Sequence, residues 1–244
     1  IDKFSDGELS VAFEENIRNE DVFIIQSTNP PNDNIWELLL MLDAAKRASA
    51  RQVIAVIPYF GYGRQDRKDR PRVPITARLK LDIITFAGVD RIVTMDLHSP
   101  QIQGFVNIPF DHLYSSIALV DFIKKFKFEH DSCVVLAPDA GSVTLSRAYA
   151  KRLKVGFSMI DKRRPKPNQT EVVNLVGNLS DRHVIIIDDM IDTGGTICNA
   201  AATAIENGAI DVTVVATHPV LSGESVKKLQ ESAISRVIVC DTIK

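Results

Sequence analysis

The chain has 244 residues, 45% of them hydrophobic, so it can bury the core of one large domain or of two modest ones. Its 29 Lys and Arg residues nearly balance 31 Asp and Glu residues, for a formal net charge of -2. This balance excludes a global attraction to nucleic acid or to a membrane surface, and a polyanionic ligand must be met locally.

No apolar run approaches the roughly 20 residues of a transmembrane helix, and no charged and then apolar leader opens the sequence. Cys133, Cys198 and Cys240 form no C-x-x-C pair. We therefore expect reduced thiols in a soluble, cytoplasmic protein that binds neither nucleic acid nor membrane. The first residue is not Met and predicted strands lie close to both ends, so we expect a fragment of a longer chain.

Apolar runs alternate with amphipathic stretches from end to end, which predicts β-α-β units and parallel sheets. We expect strands at residues 22–26, 53–58, 91–95, 133–137, 155–160, 183–187, 212–217 and 236–240. Helices are expected at residues 34–48, 75–86, 116–125, 143–153, 196–207 and 224–231.

The two halves of the chain share a pattern of strand, polar loop, helix, glycine and a second strand that ends near a histidine. It starts at Arg51 and again at Arg182, and it ends near His98 and His218. This predicts two similar α/β domains, 1–113 and 114–244. The alternative stays open, because any two β-α-β units align this loosely.

Residues 184–196 read Val-Ile-Ile-Ile-Asp-Asp-Met-Ile-Asp-Thr-Gly-Gly-Thr and are the most informative segment. The apolar run predicts a strand buried on both faces, and a helical pattern resumes after the glycines. Asp188 and Asp189 should therefore lie at the carboxyl end of a strand, where open α/β sheets bind ligands.

The turn before the helix has the composition of a phosphate site. Gly194 and Gly195 let backbone amides approach an anion, Thr193 and Thr196 add hydroxyl donors, and the helix directs its positive end to the same place. Carboxylates such as Asp188 would repel a phosphate alone, so a phosphorylated sugar or an added metal is expected. The alternative is a connection with acidic capping residues, although capping needs one acid rather than three.

Two basic clusters follow other strands. The first contains Arg64, Arg67, Lys68, Arg70 and Arg72, and the second contains Lys162, Arg163, Arg164 and Lys166. Pro165 and Pro167 exclude a helix in the second cluster, so both are predicted to be loops. Such concentrated charge suits a compact polyphosphate, and the alternative is a solvated charged surface. No G-x-x-x-x-G-K-S/T or G-x-G-x-x-G motif occurs, so side chains would have to hold a nucleotide.

Three further candidates follow strands and could bind a metal. Asp96 and His98 follow one strand, and Asp139 follows another. Mg²⁺ prefers oxygen ligands and keeps several waters, which Asp139 fits, whereas His98 is an unusual ligand for so hard a cation.

Along nearly its whole length the chain resembles the ribose-phosphate diphosphokinase (phosphoribosyl pyrophosphate synthetase) family. The matching stretches are Phe4-Ser-Asp-Gly-Glu, Asn32-Asp-Asn, Pro58-Tyr-Phe-Gly-Tyr-Gly-Arg-Gln-Asp-Arg, Asp96-Leu-His, Gln101-Ile-Gln-Gly-Phe, Asp161-Lys-Arg-Arg-Pro, residues 188–196, Ala216-Thr-His-Pro and Cys240-Asp-Thr-Ile. The resemblance implies two parallel-sheet domains of the type I phosphoribosyltransferase fold. It also implies that ATP and ribose-5-phosphate are converted to phosphoribosyl pyrophosphate and AMP.

The resemblance also implies roles for individual residues. The catalytic flexible loop would contain Lys162 and Arg164, and the magnesium positions would be His98 and Asp139. ATP would be bound by Arg64 and Gln65, joined by Phe4, Asp6, Gly7 and Glu8 of a neighbouring subunit. Ribose-5-phosphate would be bound by Asp188, Asp189, Asp192, Thr193, Gly194, Gly195 and Thr196. A homo-oligomer built from dimers, a hexamer, is expected.

Two positions depart from the family pattern. The family usually has alanine where Gly63 stands and glycine where Ser142 stands, so Gly63 could loosen the basic loop and Ser142 could crowd the turn after Asp139. Two alternative functions are a non-catalytic regulatory subunit and a phosphoribosyltransferase or regulator built on the same fold. The first could lose the Lys162 loop, and the second would not need the Phe4 segment or the Arg64 loop.

Overall fold

A computed structural model describes residues 1–126, 132–163 and 172–244. The chain forms two compact units, residues 1–114 and residues 115–242. Within the described ranges, no helix combines the length and the apolar character needed to cross a bilayer.

The first unit begins with an antiparallel hairpin of β1 (Asp2–Lys3) and β2 (Leu9–Ser10). A parallel sheet follows in the order β3 (Asp21–Ile25), β4 (Gln52–Ile57), β5 (Arg91–Met95) and β6 (Phe110–Leu113). Helix α1 (Asp33–Arg47) connects β3 to β4, and α2 (Thr76–Phe86) connects β4 to β5. A 3-10 helix, Pro100–Phe105, precedes β6.

The core of the first unit forms because each helix is apolar on one face. Helix α1 buries Leu38, Leu42 and Ala45, and α2 buries Ala77, Leu81 and Ile84, at the three- and four-residue spacing of a helix. Each large side chain stabilises the unit by about 1.5–3 kcal/mol through burial. One cluster contains both sets together with residues of β4 and β5, so the sheet and both helices share a core.

The second unit contains a six-stranded sheet in the order β12-β11-β10-β7-β8-β9. These strands are β7 (Cys133–Ala137), β8 (Gly156–Arg163), β9 (Val172–Val176), β10 (His183–Ile191), β11 (Asp211–Pro219) and β12 (Arg236–Val239). All pair in parallel except β9, which is antiparallel to β8. The helices are α3 (Ser116–Ile123), α4 (Val143–Leu153), α5 (Gly195–Glu206) and α6 (Ser225–Gln230).

Strand β10 is buried on both faces because the sheet of the second unit has a helical layer on each side. Val184 and Ile186 belong to the core that contains residues of α5 and α6. Ile185 and Ile187 belong to the core that contains residues of α3 and α4. This alternation is the two-residue period of a strand, and it explains the uninterrupted apolar run.

The sheet of the second unit has a topological switch point between β7 and β10. From β7 the chain adds β8 on one side, then returns to add β10, β11 and β12 on the other side. Open α/β sheets bind ligands in the crevice at the carboxyl ends of the strands at such a point. Asp139 follows β7 and Asp188 lies near the end of β10, so both flank this crevice.

The predicted strands and helices all occur, most with ends within about two residues of the expected ones. Two predictions about the ends of strands were wrong. Strand β10 continues to Ile191, which places Asp188 and Asp189 inside the strand. Strand β8 continues to Arg163, so Lys162 lies in a strand and not in a loop. The hairpin, β6 and β9 were not predicted.

Candidate active site

The two aspartates of β10 are held in the sheet by the neighbouring strand. Residues 188 and 190 pair with residues 216 and 218 of β11, so the ladder continues past the apolar run. The backbone N–H of Asp189 donates to Asp188 Oδ1 at 3.0 Å. Both side chains are partly buried, which fixes two carboxyl groups at the switch point.

The surroundings of Asp188 oppose its negative charge. Burial is the largest cause, and the charges of Asp189 and Asp139 add to it; together they raise the pKa of Asp188 to about 8. The backbone amide of Asp189 acts in the opposite direction but is outweighed. A proton, a cation or a ligand that donates hydroxyl hydrogens would therefore stabilise this end of β10.

The turn between β10 and α5 exposes the start of that helix. Gly194 has φ 77°, in the left-handed region, and a Cβ there would lie 3.1 Å from Ser225 Oγ, so glycine is required. The next residue, Gly195, begins α5, and Gly194 has no side chain with which to cap the first-turn amides. The N–H of Cys198 donates to Gly194 O at 2.9 Å and starts the helical ladder.

The loop that follows β11 is hydrogen-bonded to this turn. The N–H of Ser222 donates to Asp192 O at 3.1 Å, and the N–H of Leu221 donates to Ile191 O at 2.8 Å. Thr193 and Thr196 have exposed side chains on this turn. The helix start therefore offers amide and hydroxyl donors, together with its positive dipole end, to an anion from solvent.

Asp139 lies in a turn that Ser142 closes. Both the N–H of Ser142, at 3.1 Å, and its hydroxyl, at 2.8 Å, donate to Asp139 Oδ1. Helix α4 begins at the next residue, Val143. Ser142 was expected to crowd the turn after Asp139, but it is buried and binds the carboxylate of Asp139, so it orients that group.

The basic loop, residues 61–72, follows β4 in the first unit. Its first half is fixed to other segments: Tyr62 Oη donates to Asn32 Oδ1 at 2.8 Å, the N–H of Ala77 donates to Gln65 O at 3.2 Å, and Gln101 Nε2 donates to Asp66 Oδ2 at 2.5 Å. The Arg64 and Gln65 side chains are exposed. Gln65 Oε1 accepts a hydrogen bond from the Thr76 hydroxyl, so the loop presents the Arg64 guanidinium and the Gln65 amide N–H groups. Both side-chain and backbone hydrogen bonds hold the loop.

The end of β5 carries Asp96 and His98. Asp96 is buried and its N–H donates to Leu113 O at 3.0 Å, while the N–H of Leu97 donates to His112 Nε2 at 2.9 Å. His98 is exposed in the first unit, whereas Asp139 belongs to the second. Across the described residues, no cluster of three or more His, Cys, Asp or Glu could hold a metal ion.

The hairpin at the start of the chain has a fixed shape and exposed side chains. The N–H of Phe4 donates to Glu8 O at 2.8 Å, the N–H of Gly7 donates to Phe4 O at 2.9 Å, and the N–H of Glu8 donates to Asp6 Oδ1 at 3.0 Å. Gly7 has φ 95°, which allows the reversal. Phe4 is 58% exposed, so its ring is available to another molecule.

The second basic cluster is described only in part. Lys162 and Arg163 form the end of β8, where their backbones are in register with Val173 and Val172 of β9. The predicted catalytic residue Arg164 lies outside the described residues, as does Lys166.

Two residues beneath the basic loop were missed by sequence analysis. Lys80 and Thr28 are both buried, and they bond to each other and to the start of that loop. The available signal was the position of Lys80 on the face of α2 that also carries Ala77, Leu81 and Ile84, where an apolar residue is expected.

Comparison with known proteins gives one consistent result. The N-terminal domain of ribose phosphate pyrophosphokinase matches residues 1–88, and the phosphoribosyl transferase domain matches residues 113–241. A ribose-phosphate pyrophosphokinase of Chlorobaculum tepidum is 54% identical over 242 residues, covering 99% of this chain and 75% of that protein. One of Helicobacter pylori is 48% identical over 244 residues, covering 100% of this chain and 76% of that protein.

A solved structure agrees with these matches. The crystal structure of phosphoribosylpyrophosphate synthetase from Mycobacterium smegmatis has a TM-score of 0.91 and 40% identity, covering 99% of this chain and 79% of that one. The sheet order, the switch point and the turn before α5 define an α/β protein of the phosphoribosyltransferase fold. The chain belongs to the ribose-phosphate pyrophosphokinase family and is an enzyme of that type. The predicted fold, family and reaction are confirmed.

Proposed function

We propose that this chain binds ribose-5-phosphate at the end of β10 and ATP against the basic loop. The family reaction transfers the β,γ-diphosphoryl group of ATP to the 1-hydroxyl of ribose-5-phosphate, giving phosphoribosyl pyrophosphate and AMP. The observation that carries the proposal is the start of α5, which Gly194 leaves uncapped beside the crowded carboxyl groups at the switch point. One feature suits a phosphate, and the other suits the hydroxyls of a sugar.

On the ribose side, first-turn amides of α5 and the hydroxyls of Thr193 and Thr196 would bind the 5-phosphate. Asp188 and Asp189 would accept hydrogen bonds from the 2- and 3-hydroxyls or hold a hydrated cation. The raised pKa of Asp188 supports this assignment, because each of these ligands brings hydrogen or positive charge to a carboxylate that lacks solvation. Binding would orient the 1-hydroxyl for attack.

On the nucleotide side, Arg64 and Gln65 would bind ATP. A guanidinium is suited to phosphate oxygens because its fork of N–H groups binds two oxygens at once. The hydrogen bonds at Tyr62, Gln65 and Asp66 support the role, since a loop that is already held by them loses little freedom when the ligand binds.

Mg²⁺ is the proposed cofactor. Its residues would be Asp139 and, by family resemblance, His98. Asp139 fits, because Ser142 occupies one carboxylate oxygen and orients the group, and Mg²⁺ completes its shell with water and substrate phosphates. A nitrogen ligand such as His98 fits less well. When bound, the cation would neutralise part of the polyphosphate charge.

In the transfer step, the 1-hydroxyl oxygen attacks the β-phosphorus of ATP, and the hydroxyl proton is released to water. The bond from that phosphorus to the bridging oxygen of the α-phosphate breaks, and AMP leaves with that oxygen. Negative charge therefore moves toward the AMP oxygen and the transferred group. Arg64, Lys162 and Arg164 are the side chains that we assign to stabilising it.

The proposed assembly is a homo-oligomer of dimers, a hexamer, in the cytoplasm. Phe4, Asp6, Gly7 and Glu8 would complete the ATP site of a neighbouring subunit. The exposed and internally bonded hairpin supports this part of the proposal.

Product analysis tests the proposed function. The full chain is incubated with ATP, Mg²⁺ and ribose-5-phosphate, and nucleotides are separated over time. We expect AMP to accumulate in step with phosphoribosyl pyrophosphate. Formation of ADP, or no change in the nucleotide pool, would reject the reaction.

A further inference from the structure

Helix α2 buries a lysine among apolar residues. Lys80 is 4% exposed and lies on the face that also carries Ala77, Leu81 and Ile84. Its amine donates to Thr28 Oγ1 at 2.5 Å and to Gly61 O at 2.9 Å, and it lies 3.6 Å from the centre of the Phe60 ring. A buried amine is retained only with partners, and here both bonded partners belong to segments at the ends of strands.

Thr28 links these segments further. Its hydroxyl donates to Tyr59 O at 3.0 Å and accepts from the N–H of Gly61 at 3.0 Å as well as from Lys80. A hydroxyl has one hydrogen and two acceptor positions, so these three bonds use it completely. We call Lys80, Thr28, Phe60 and Gly61 the Lys80 cluster.

The Lys80 cluster tolerates little displacement. A Cβ on Gly61 would lie 2.0 Å from Thr28 O, so the two backbones are packed as closely as glycine permits. Loss of the Lys80 amine would leave Gly61 O and Thr28 Oγ1 each with one partner fewer inside the protein. Such groups regain partners by moving or by admitting water.

The Lys80 cluster connects directly to the basic loop. Gly61 is its first residue, and the N–H of Gly63 donates to Phe60 O at 3.3 Å. Downstream of Arg64, Gln65 is bonded to Ala77, one turn before Lys80 on the same helix. Helix α2 therefore holds the backbone on both sides of Arg64.

We propose that Lys80 is a positioning residue for ATP, which holds the basic loop in the conformation that presents Arg64 and Gln65. This rests on the proposed function, in which those two residues bind ATP. Burial lowers the pKa of the Lys80 amine well below its ordinary value. The neutral amine keeps two hydrogens and the ammonium has three, so both forms can donate to Thr28 and Gly61.

The test is steady-state kinetics of the full chain with Lys80→Met. This substitution keeps an unbranched side chain but removes the amine that donates to Thr28 and to Gly61 O. We expect the KM for ATP to rise about tenfold, which is roughly 1.4 kcal/mol, while the KM for ribose-5-phosphate stays within about twofold. Ile84→Ala is the matched control, because it removes buried volume from the same face of α2 one turn further from the loop. It should leave the KM for ATP unchanged.

Thr28→Val removes the hydroxyl that accepts from Lys80, while it keeps Lys80 itself and the shape of the residue 28 side chain. It should raise the KM for ATP in the same direction, and it carries the test if Lys80→Met does not fold. The double variant should have less than the sum of the two effects, because both changes break one connection.

Arg64→Ala separates the two proposals, with Arg78→Ala as a control that removes an exposed arginine of α2. If Arg64→Ala raises the KM for ATP but Lys80→Met and Thr28→Val do not, only the positioning role is overturned. If Arg64→Ala also leaves it unchanged, the ATP assignment fails and the role of Lys80 fails with it. Equal rises in the KM for both substrates would likewise overturn the positioning role.

Discussion

Burial and two neighbouring carboxylates disfavour the negative charge of the Asp188 carboxyl group. Its pKa of about 8 in the folded chain lies above the ordinary value of 3.8. Well below pH 3.8 the group is protonated in both the folded and the unfolded chain. Between pH 3.8 and pH 8 the unfolded chain has lost this proton while the folded chain still holds it. Folding then requires the uptake of a proton, so the free energy of unfolding falls as pH rises toward 8.

Asp188→Asn should therefore stabilise the ligand-free protein in a pH-dependent way. We expect the difference in free energy of unfolding between variant and wild type to grow from near zero at pH 4 to roughly 1–3 kcal/mol at pH 8. Urea unfolding at a series of pH values measures it. Asp181→Asn, at an exposed position of the same unit, is the control. A difference that shrinks as pH rises would contradict the prediction.

Lys80 illustrates why the roles of some single residues could not be predicted from the sequence. A lysine is read as a surface residue, and its partners Thr28 and Gly61 O are 52 and 19 residues away in sequence. Ser142 is similar, because its hydroxyl was expected to crowd a turn that it in fact closes. In both cases the outcome depends on which acceptor the folded backbone brings within hydrogen-bond distance.

At the scale of elements, the strand-turn-helix of β10 and α5 depends on the conformation of one glycine. Gly194→Ala would place a side chain in the left-handed region and 3.1 Å from Ser225 Oγ. Gly195→Ala is the matched control, since its φ is ordinary and no atom lies within 4 Å of the added Cβ.

We expect Gly194→Ala to lower the free energy of unfolding by about 1–3 kcal/mol and to weaken ribose-5-phosphate binding. Gly195→Ala should leave stability unchanged or raise it slightly, because alanine favours the helix. Urea unfolding and calorimetric titration with ribose-5-phosphate measure the two effects. Equal destabilisation by both substitutions would show that the left-handed conformation is not the cause.

Most elements could be predicted because the periodicity of apolar residues reports burial directly. The apolar run of β10 predicted a strand buried on both faces, and the two cores confirm it. The apolar pattern stops at the first charged residue, so it did not predict where β10 ends. Pairing with β11, which is equally long, extends β10 past its apolar run. Strand β6 has four residues, two of them polar, so it has no apolar run that could predict it; its backbone pairs with β5.

At the scale of the whole molecule, the proposed sharing of the ATP site between subunits depends on the hairpin of β1 and β2. Its backbone is closed by its own hydrogen bonds, and Phe4, Asp6 and Glu8 remain exposed. If these residues complete a neighbour's ATP site, a chain with a defective hairpin still has a usable basic loop. A chain with a defective loop still has a usable hairpin.

Mixing two inactive variants tests this sharing. The double variant Asp6→Ala/Glu8→Ala and the single variant Arg64→Ala should each have little activity alone. Co-expressed in equal amounts, they should regain about one quarter of wild-type activity, since half of random dimers are mixed and each mixed dimer has one site with both parts intact. Lys3→Ala, which breaks the exposed Lys3–Asp33 ion pair beside the hairpin, is the control and should stay active alone. No regain on mixing, or a fully active monomer by sedimentation, would show that each chain completes its own site.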